Sequence, residues 1–159
     1  MVLLDTNVFV IDRFFRRDER YGANRAFLEL ISKTEAAFSI FSLFELCGIS
    51  SFNLSALELK QWAYQFDEVY PVTVLEAQDL HTRSATTWFV GFSNSMFELI
   101  GRQMTWGDAV LLRTAEEYGV DAIVTWNKKH FESRTTISVQ TPIEFVAAMQ
   151  RSQRPDSNE

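Results

Sequence analysis

The chain reads as an α/β domain built on a mostly parallel five-stranded sheet covered by helices on both faces. Two observations predict this. Short apolar runs of three to seven residues alternate with longer stretches of helical periodicity along the 159 residues, and strand–helix alternation is the mark of a parallel sheet buried on both sides. In addition, four residues able to offer an oxygen, Asp5, Glu45, Asp108 and Asn127, each follow an apolar run or open a helix that leads back into one. Those positions belong to the carboxyl edge of such a sheet, where ligands bind.

The elements follow in order. Val2-Leu3-Leu4 is a fully apolar strand that stops at Asp5. A helical pattern over 22–33 leads to a second strand at 36–41, and a helix over 42–50 carries Glu45. A further helix over 55–66 precedes a third strand at 69–75, which Pro71 confines to a sheet edge because proline cannot donate to a ladder. Helical periodicity returns at 75–90 and again at 106–118. A fourth strand at 122–125, a weaker fifth at 136–139 and a closing helix at 142–150 complete the pattern. Right-handed crossovers are expected between the strands. With no repeat and no linker, residues 1–150 form one domain, and 151–159, without an apolar residue, read as a flexible polar tail.

With 47% hydrophobic residues, one domain of this size buries roughly 70% of its unfolded-chain surface and needs no disulfide or structural metal. The single cysteine, Cys47, excludes an internal disulfide, and its apolar neighbours predict a buried thiol in a reducing compartment. No apolar stretch reaches the ~20 residues that span a bilayer, and the start has no basic lead into an apolar core. A cytoplasmic location is expected. The net charge of −6 sits awkwardly with a nucleic-acid partner. A bound divalent ion would offset part of it. Locally, residues 13–25 set five arginines (13, 16, 17, 20 and 25) against Asp18 and Glu19, and Lys128, Lys129 and His130 make a second basic group. Both groups read equally as phosphate contacts or as solvated helix faces.

Each candidate site residue admits two readings. Asp5, in Asp5-Thr6-Asn7, is either a turn or helix cap or a ligand at the tip of a strand. Glu45 shares a helical stripe with Phe41 and Ile49. A carboxylate facing the core there needs a partner or a metal, whereas one at the stripe's edge reaches water. Asp108 stands three residues after Thr105, the spacing of a capping box, yet shares a face with Leu111, Leu112 and Ala115 that points toward the sheet. The positive end of the helix tolerates an anion at that place. Asn127 either caps the segment 128–131 or gives a neutral oxygen to a magnesium ion.

Other chemistries lack their residues. The two histidines, His81 and His130, form no zinc pair. There is no nucleophile elbow and no glycine-rich phosphate loop. A phosphotransfer receiver would need a second acid beside Asp5, and none is there. The aromatic-rich stretch 88–100 suits core packing, a dimer contact or base stacking.

Several motifs together resemble the PIN-domain ribonucleases. Leu3-Leu4-Asp5-Thr6-Asn7-Val8 resembles their opening, and Phe41-Ser42-Leu43-Phe44-Glu45-Leu46 their second acidic motif. Gly107-Asp108-Ala109-Val110-Leu111 is similar to the third, and the run from Asp121 through Asn127 to Phe131 to the fourth. Thr141-Pro142-Ile143-Glu144-Phe145-Val146 resembles their closing helix, so the likeness spans about 1–148. It implies a three-layer α/β/α domain with strand order 3-2-1-4-5. It further implies an endoribonuclease dependent on Mg2+ or Mn2+, of the kind that serves as the VapC-type toxin of type II toxin–antitoxin pairs, homodimeric and held by a short antitoxin. Asp5 and Asp108 would bind metal, Glu45 would ligate it through water, and Asn127, where many members carry Asp, would support a weaker second position. Thr6 and Thr125 are expected to hydrogen-bond the carboxylates. The competing expectation is a degenerate domain that binds protein partners through its helices and the apolar stretch 88–100 without catalysis.

Overall fold

The computed structural model describes residues 1–152. Five short strands, β1 (Val2–Leu4), β2 (Ala36–Ser39), β3 (Thr73–Leu75), β4 (Ala122–Val124) and β5 (Ser138–Gln140), form one sheet. Every neighbouring pair is parallel and the order is β3-β2-β1-β4-β5. The expected architecture, including the order 3-2-1-4-5, is the one found. Among the described residues, eight α-helices connect and cover the strands: α1 (Thr6–Phe14), α2 (Tyr21–Ile31), α3 (Ile40–Ser50), α4 (Ala56–Tyr64), α5 (Phe66–Val69), α6 (Ala85–Gly101), α7 (Trp106–Tyr118) and α8 (Pro142–Ser152).

Side chains alternate across a strand, so the short apolar runs feed two separate cores. Val2, Leu4, Ala36, Phe38, Ala122 and Val124 face α1, α2, α3, α4 and α8. Leu3, Ala37 and Ile123 face α6 and α7, meeting Phe92, Met96, Leu99 and the run Ala109–Leu112. The first core is aromatic at its centre. Phe38 stacks on Phe66 at 5.2 Å and meets the edge of Phe9 at 4.7 Å.

The sequence-based boundaries need five corrections. Residues 6–14 form α1, a helix not expected from the sequence, where Val8-Phe9-Val10-Ile11, β-branched and aromatic, is strand-like by propensity. Burial of Val8, Phe9 and Ile11, with Asp5 at the N-cap, overrides that propensity. The second strand ends at Ser39, whose side chain accepts the Phe41 N–H (3.3 Å) and so starts α3 two residues early. The third strand shrinks to Thr73–Leu75, since α5 takes 66–69 and Pro71 falls outside the ladder; β3 is nonetheless an edge strand. The helix expected over 75–90 begins only at Ala85, where Ser84 caps it, and runs to Gly101. The preceding stretch turns through Asp79 at φ 61°. Finally, α8 ends at Ser152, two residues past the closing helix expected over 142–150; of the expected tail 151–159, residues 153–159 lie outside the described residues.

Among the described residues no helix is long and apolar enough to cross a membrane. Because Phe38 is fully buried and joins two aromatic neighbours, Phe38→Ala is expected to lower the unfolding free energy by about 3–5 kcal/mol, read from urea denaturation midpoints.

Candidate active site

Parallel topology brings four chain segments to one edge. The ends of β1, β2 and β4 lead there, and Asp5 N–H donates to Val124 O (3.0 Å), locking the first strand tip to the fourth. The N-terminus of α7 arrives over the same edge. A cavity of about 290 Å³ opens between them, lined by Asp5, Thr6, Asn7, Glu45, Asp108, Asn127 and His130 among others. All four oxygen-bearing residues singled out from the sequence therefore face one space.

The hydrogen bonds of the three acids follow one rule: each carboxylate has one oxygen occupied by neutral or aromatic donors and the other left largely open. Asp5 Oδ2 accepts from Thr125 Oγ1 (2.6 Å) and Asn7 Nδ2 (2.6 Å), while Oδ1 has only a long 3.5 Å contact with the Asn7 N–H. Glu45 Oε2 accepts from Thr6 Oγ1 (2.7 Å). Asp108 Oδ2 accepts from Thr105 Oγ1 (2.7 Å) and meets His130 Nδ1 (3.1 Å). Among the described residues, no lysine or arginine pairs with any of the three. A second cavity, about 380 Å³, behaves differently: its Asp12 pairs with Arg25 (3.2 Å) and accepts from the Tyr70 hydroxyl (2.9 Å), so its charge is already compensated.

Electrostatics agree with the geometry. Burial pushes the Asp5 carboxyl up from 3.8 to about 6; the charges of Asp108 and Glu45 add to the rise, and the bonds from Thr125 and Asn7 oppose it. The donor set is all oxygen and uncompensated, which suits a hard divalent cation such as magnesium or manganese. Among the described residues, no three His, Cys, Asp or Glu side chains converge on one point as they stand. The acids line the walls of the cavity.

Of the two readings of Glu45, the structure has the one at the stripe's edge: Ser42, Leu43 and Leu46 are buried, Phe41 is partly buried against the core, and Glu45 stands exposed at the cavity rim. Gly107 lets it reach α7, for a β-carbon at 107 would lie 2.8 Å from Glu45 Oε1. Asp108 occupies the third position of α7 with only 14% of its side chain exposed, its N–H bound by Thr105 (3.3 Å). Capping and cavity lining are here the same placement. Asn127 is exposed at the cavity, and its backbone N–H donates to Thr125 Oγ1 (2.9 Å).

Two residues of the site escape the sequence reading. Asn7 donates to both Asp5 and Thr125 (3.1 Å) and accepts the Trp126 N–H (3.2 Å), bridging the first and fourth segments. Its signal was present in Asp5-Thr6-Asn7, two residues past a strand tip. His130, set aside for want of a zinc partner, lies instead against Asp108. Of the basic stretch 13–25, Arg13, Arg20 and Arg25 are paired with Glu58, Asp18 and Asp12, while Arg16 and Arg17 form no ion pair among the described residues. Asn24, fully buried, donates to Val8 O (2.9 Å) and accepts from Trp126 Nε1 (2.8 Å).

The sequence profile of the PIN domain matches residues 2–134. The chain belongs to the PIN domain family. Solved structures share the fold at low identity. The crystal structure of FitAcB from Neisseria gonorrhoeae is 16% identical with a TM-score of 0.57, covering 89% of this chain and 98% of that one. VapBC2 from Rickettsia felis, bound to a DNA fragment from its promoter, is 23% identical with a TM-score of 0.53, covering 88% and 97%. A toxin–antitoxin complex from Klebsiella pneumoniae is 19% identical with a TM-score of 0.52, covering 91% and 99%. No curated protein matches the chain. The PIN assignment makes this chain a member of a nuclease family, and the cavity at the carboxyl edge is its candidate centre.

The raised Asp5 carboxyl has a thermodynamic sign. The folded state holds the Asp5 proton more tightly than the unfolded chain, so that contribution to stability is fully present below pH 3.8 and lost as pH rises through about 6. Asp5→Asn removes the loss. In chelator, the melting temperature of Asp5→Asn relative to the parent is expected to climb between pH 4 and pH 7.5, and a pH-independent difference counts against the burial of this charge.

Proposed function

We propose that this PIN domain is a divalent-metal-dependent endoribonuclease that cleaves single-stranded RNA, working in the cytoplasm as the toxin of a toxin–antitoxin pair. The observation that carries the reading is the trio Asp5, Glu45 and Asp108 around one cavity, each with an open oxygen and, among the described residues, none paired with lysine or arginine. Asp5 and Asp108 would hold the ion directly and Glu45 through a water, with Asn127 offering a neutral oxygen at a second, weaker position. When bound, magnesium or manganese supplies Lewis acidity to a water and to the phosphate. Glu45 orients that water for in-line attack on phosphorus. The water oxygen bonds to phosphorus, the bond to the 3′-oxygen breaks, and a proton ends on that oxygen, leaving a 5′-phosphate and a 3′-hydroxyl. Thr6, Thr125 and Asn7 hold the carboxylates in place.

The partner reading has its own support. The similar solved structures include one described as a toxin–antitoxin complex, and α6 leaves Phe89, Val90, Phe97 and Ile100 exposed, a face suited to a homodimer or an antitoxin. The neutral, exposed Asn127 and the net charge of −6 favour the second reading, a binding module without catalysis.

Cleavage of single-stranded RNA with manganese decides between them. Asp5→Asn and Asp108→Asn are each expected to lose about 100-fold or more of the parent's rate, beyond the range typical of outer-shell changes. Full activity in either variant removes that residue from the mechanism, and manganese binding without cleavage of any RNA favours the binding module. Gly107→Ala offers a finer test. Alanine should leave stability unchanged or raise it by up to about 1 kcal/mol, since glycine is the poorer helix former. Its β-carbon displaces the Glu45 carboxylate, so cleavage is expected to fall at least tenfold while the melting temperature holds.

A further inference from the structure

The geometry points to His130 as a positioning residue that holds the Asp108 carboxylate so that one oxygen faces the cavity; this rests on the metal-site reading above. Asp108 Oδ2 takes Thr105 Oγ1 at 2.7 Å and His130 Nδ1 at 3.1 Å. A carboxylate oxygen only accepts, so Nδ1 carries the hydrogen. That assignment holds for the neutral and the charged ring alike, and the role does not depend on the state of Nε2. With both donors on Oδ2, Oδ1 is the oxygen left for a ligand. This is the pattern that Thr125 and Asn7 impose on Asp5 and Thr6 imposes on Glu45.

The backbone that carries the ring is a hydrogen-bonded turn. His130 N–H donates to Asn127 O (2.9 Å), Phe131 N–H to Lys128 O (3.0 Å), and Phe131 is fully buried beneath them. Arg134 then ties this turn to the segment bearing the other donor: Nη1 donates to His130 O (3.0 Å) and Nε to Arg102 O (3.2 Å), three residues before Thr105. Both donors to Oδ2 thus sit on segments cross-linked by one guanidinium. Outer partners of this type tune metal affinity by about 10–100-fold.

Manganese alone, titrated by calorimetry into the full chain at pH 7.5, tests the assignment. His130→Ala is expected to weaken manganese binding tenfold or more. His130→Asn should restore it to within threefold, because the asparagine Nδ2 stands the same number of bonds from Cα as Nδ1 of histidine. Melting temperatures in chelator should match for both variants. Parent-like affinity in His130→Ala, or His130→Asn as weak as His130→Ala, overturns the assignment. If the parent binds manganese and Asp108→Asn does not, such a result fells the histidine role alone; if the parent takes up no manganese, the metal-site reading falls with it.

Discussion

A carboxylate at the tip of the central strand is the constraint around which the rest is arranged. Leu3 and Leu4 are fully buried in opposite cores, and the chain must leave the sheet at Asp5 with nowhere apolar to put its charge. Ionised carboxylates are costly in such a place unless hydrogen-bonded or bound to a cation. The protein satisfies Asp5 with Thr125 and Asn7, two neutral donors, and among the described residues no lysine or arginine pairs with it. It then sets Glu45 and Asp108 at the same cavity, and their charges add to the penalty. An edge that keeps such repulsion in place is organised for something positive from outside.

The sheet makes this arrangement cheap to specify. Three-residue strands with no polar interruption, strictly parallel, aim their ends at one edge, and α7 returns over that edge with Asp108 in its first turn. The helix dipole and the Thr105 cap help to hold the third acid. Gly107 serves a different end, since only a residue without a β-carbon lets Glu45 come so close to α7.

Much of this was legible in the chain. Apolar runs such as Val2-Leu3-Leu4 and Ala122-Ile123-Val124 stand between polar breaks, and their order marks a parallel sheet and its reactive edge. The four oxygen donors could be placed because each lies at an element boundary. Local information failed where tertiary contacts decided the outcome. The strand-like Val8-Phe9-Val10-Ile11 is helical because Asp5 caps α1 and the core buries Val8, Phe9 and Ile11, and α6 starts at Ala85 because the Ser84 cap outweighs the periodicity upstream. Spacing alone left Glu45 between a core-facing place and the edge of its stripe; α3 buries Leu43 and Leu46, which puts Glu45 at the edge. His130 could not be matched to Asp108, 22 residues away, by any local pattern.

Asn24 carries a consequence for motion. Its amide spans from α1 to the indole of Trp126, joining the outer helical layer to the loop that bears Asn127. For that loop to swing outward, a fully buried amide would have to surrender a bond with no solvent at hand to replace it, a loss of about 1–3 kcal/mol. The bond therefore resists displacement of the segment bearing Asn127, which lines the cavity together with the exposed Glu45.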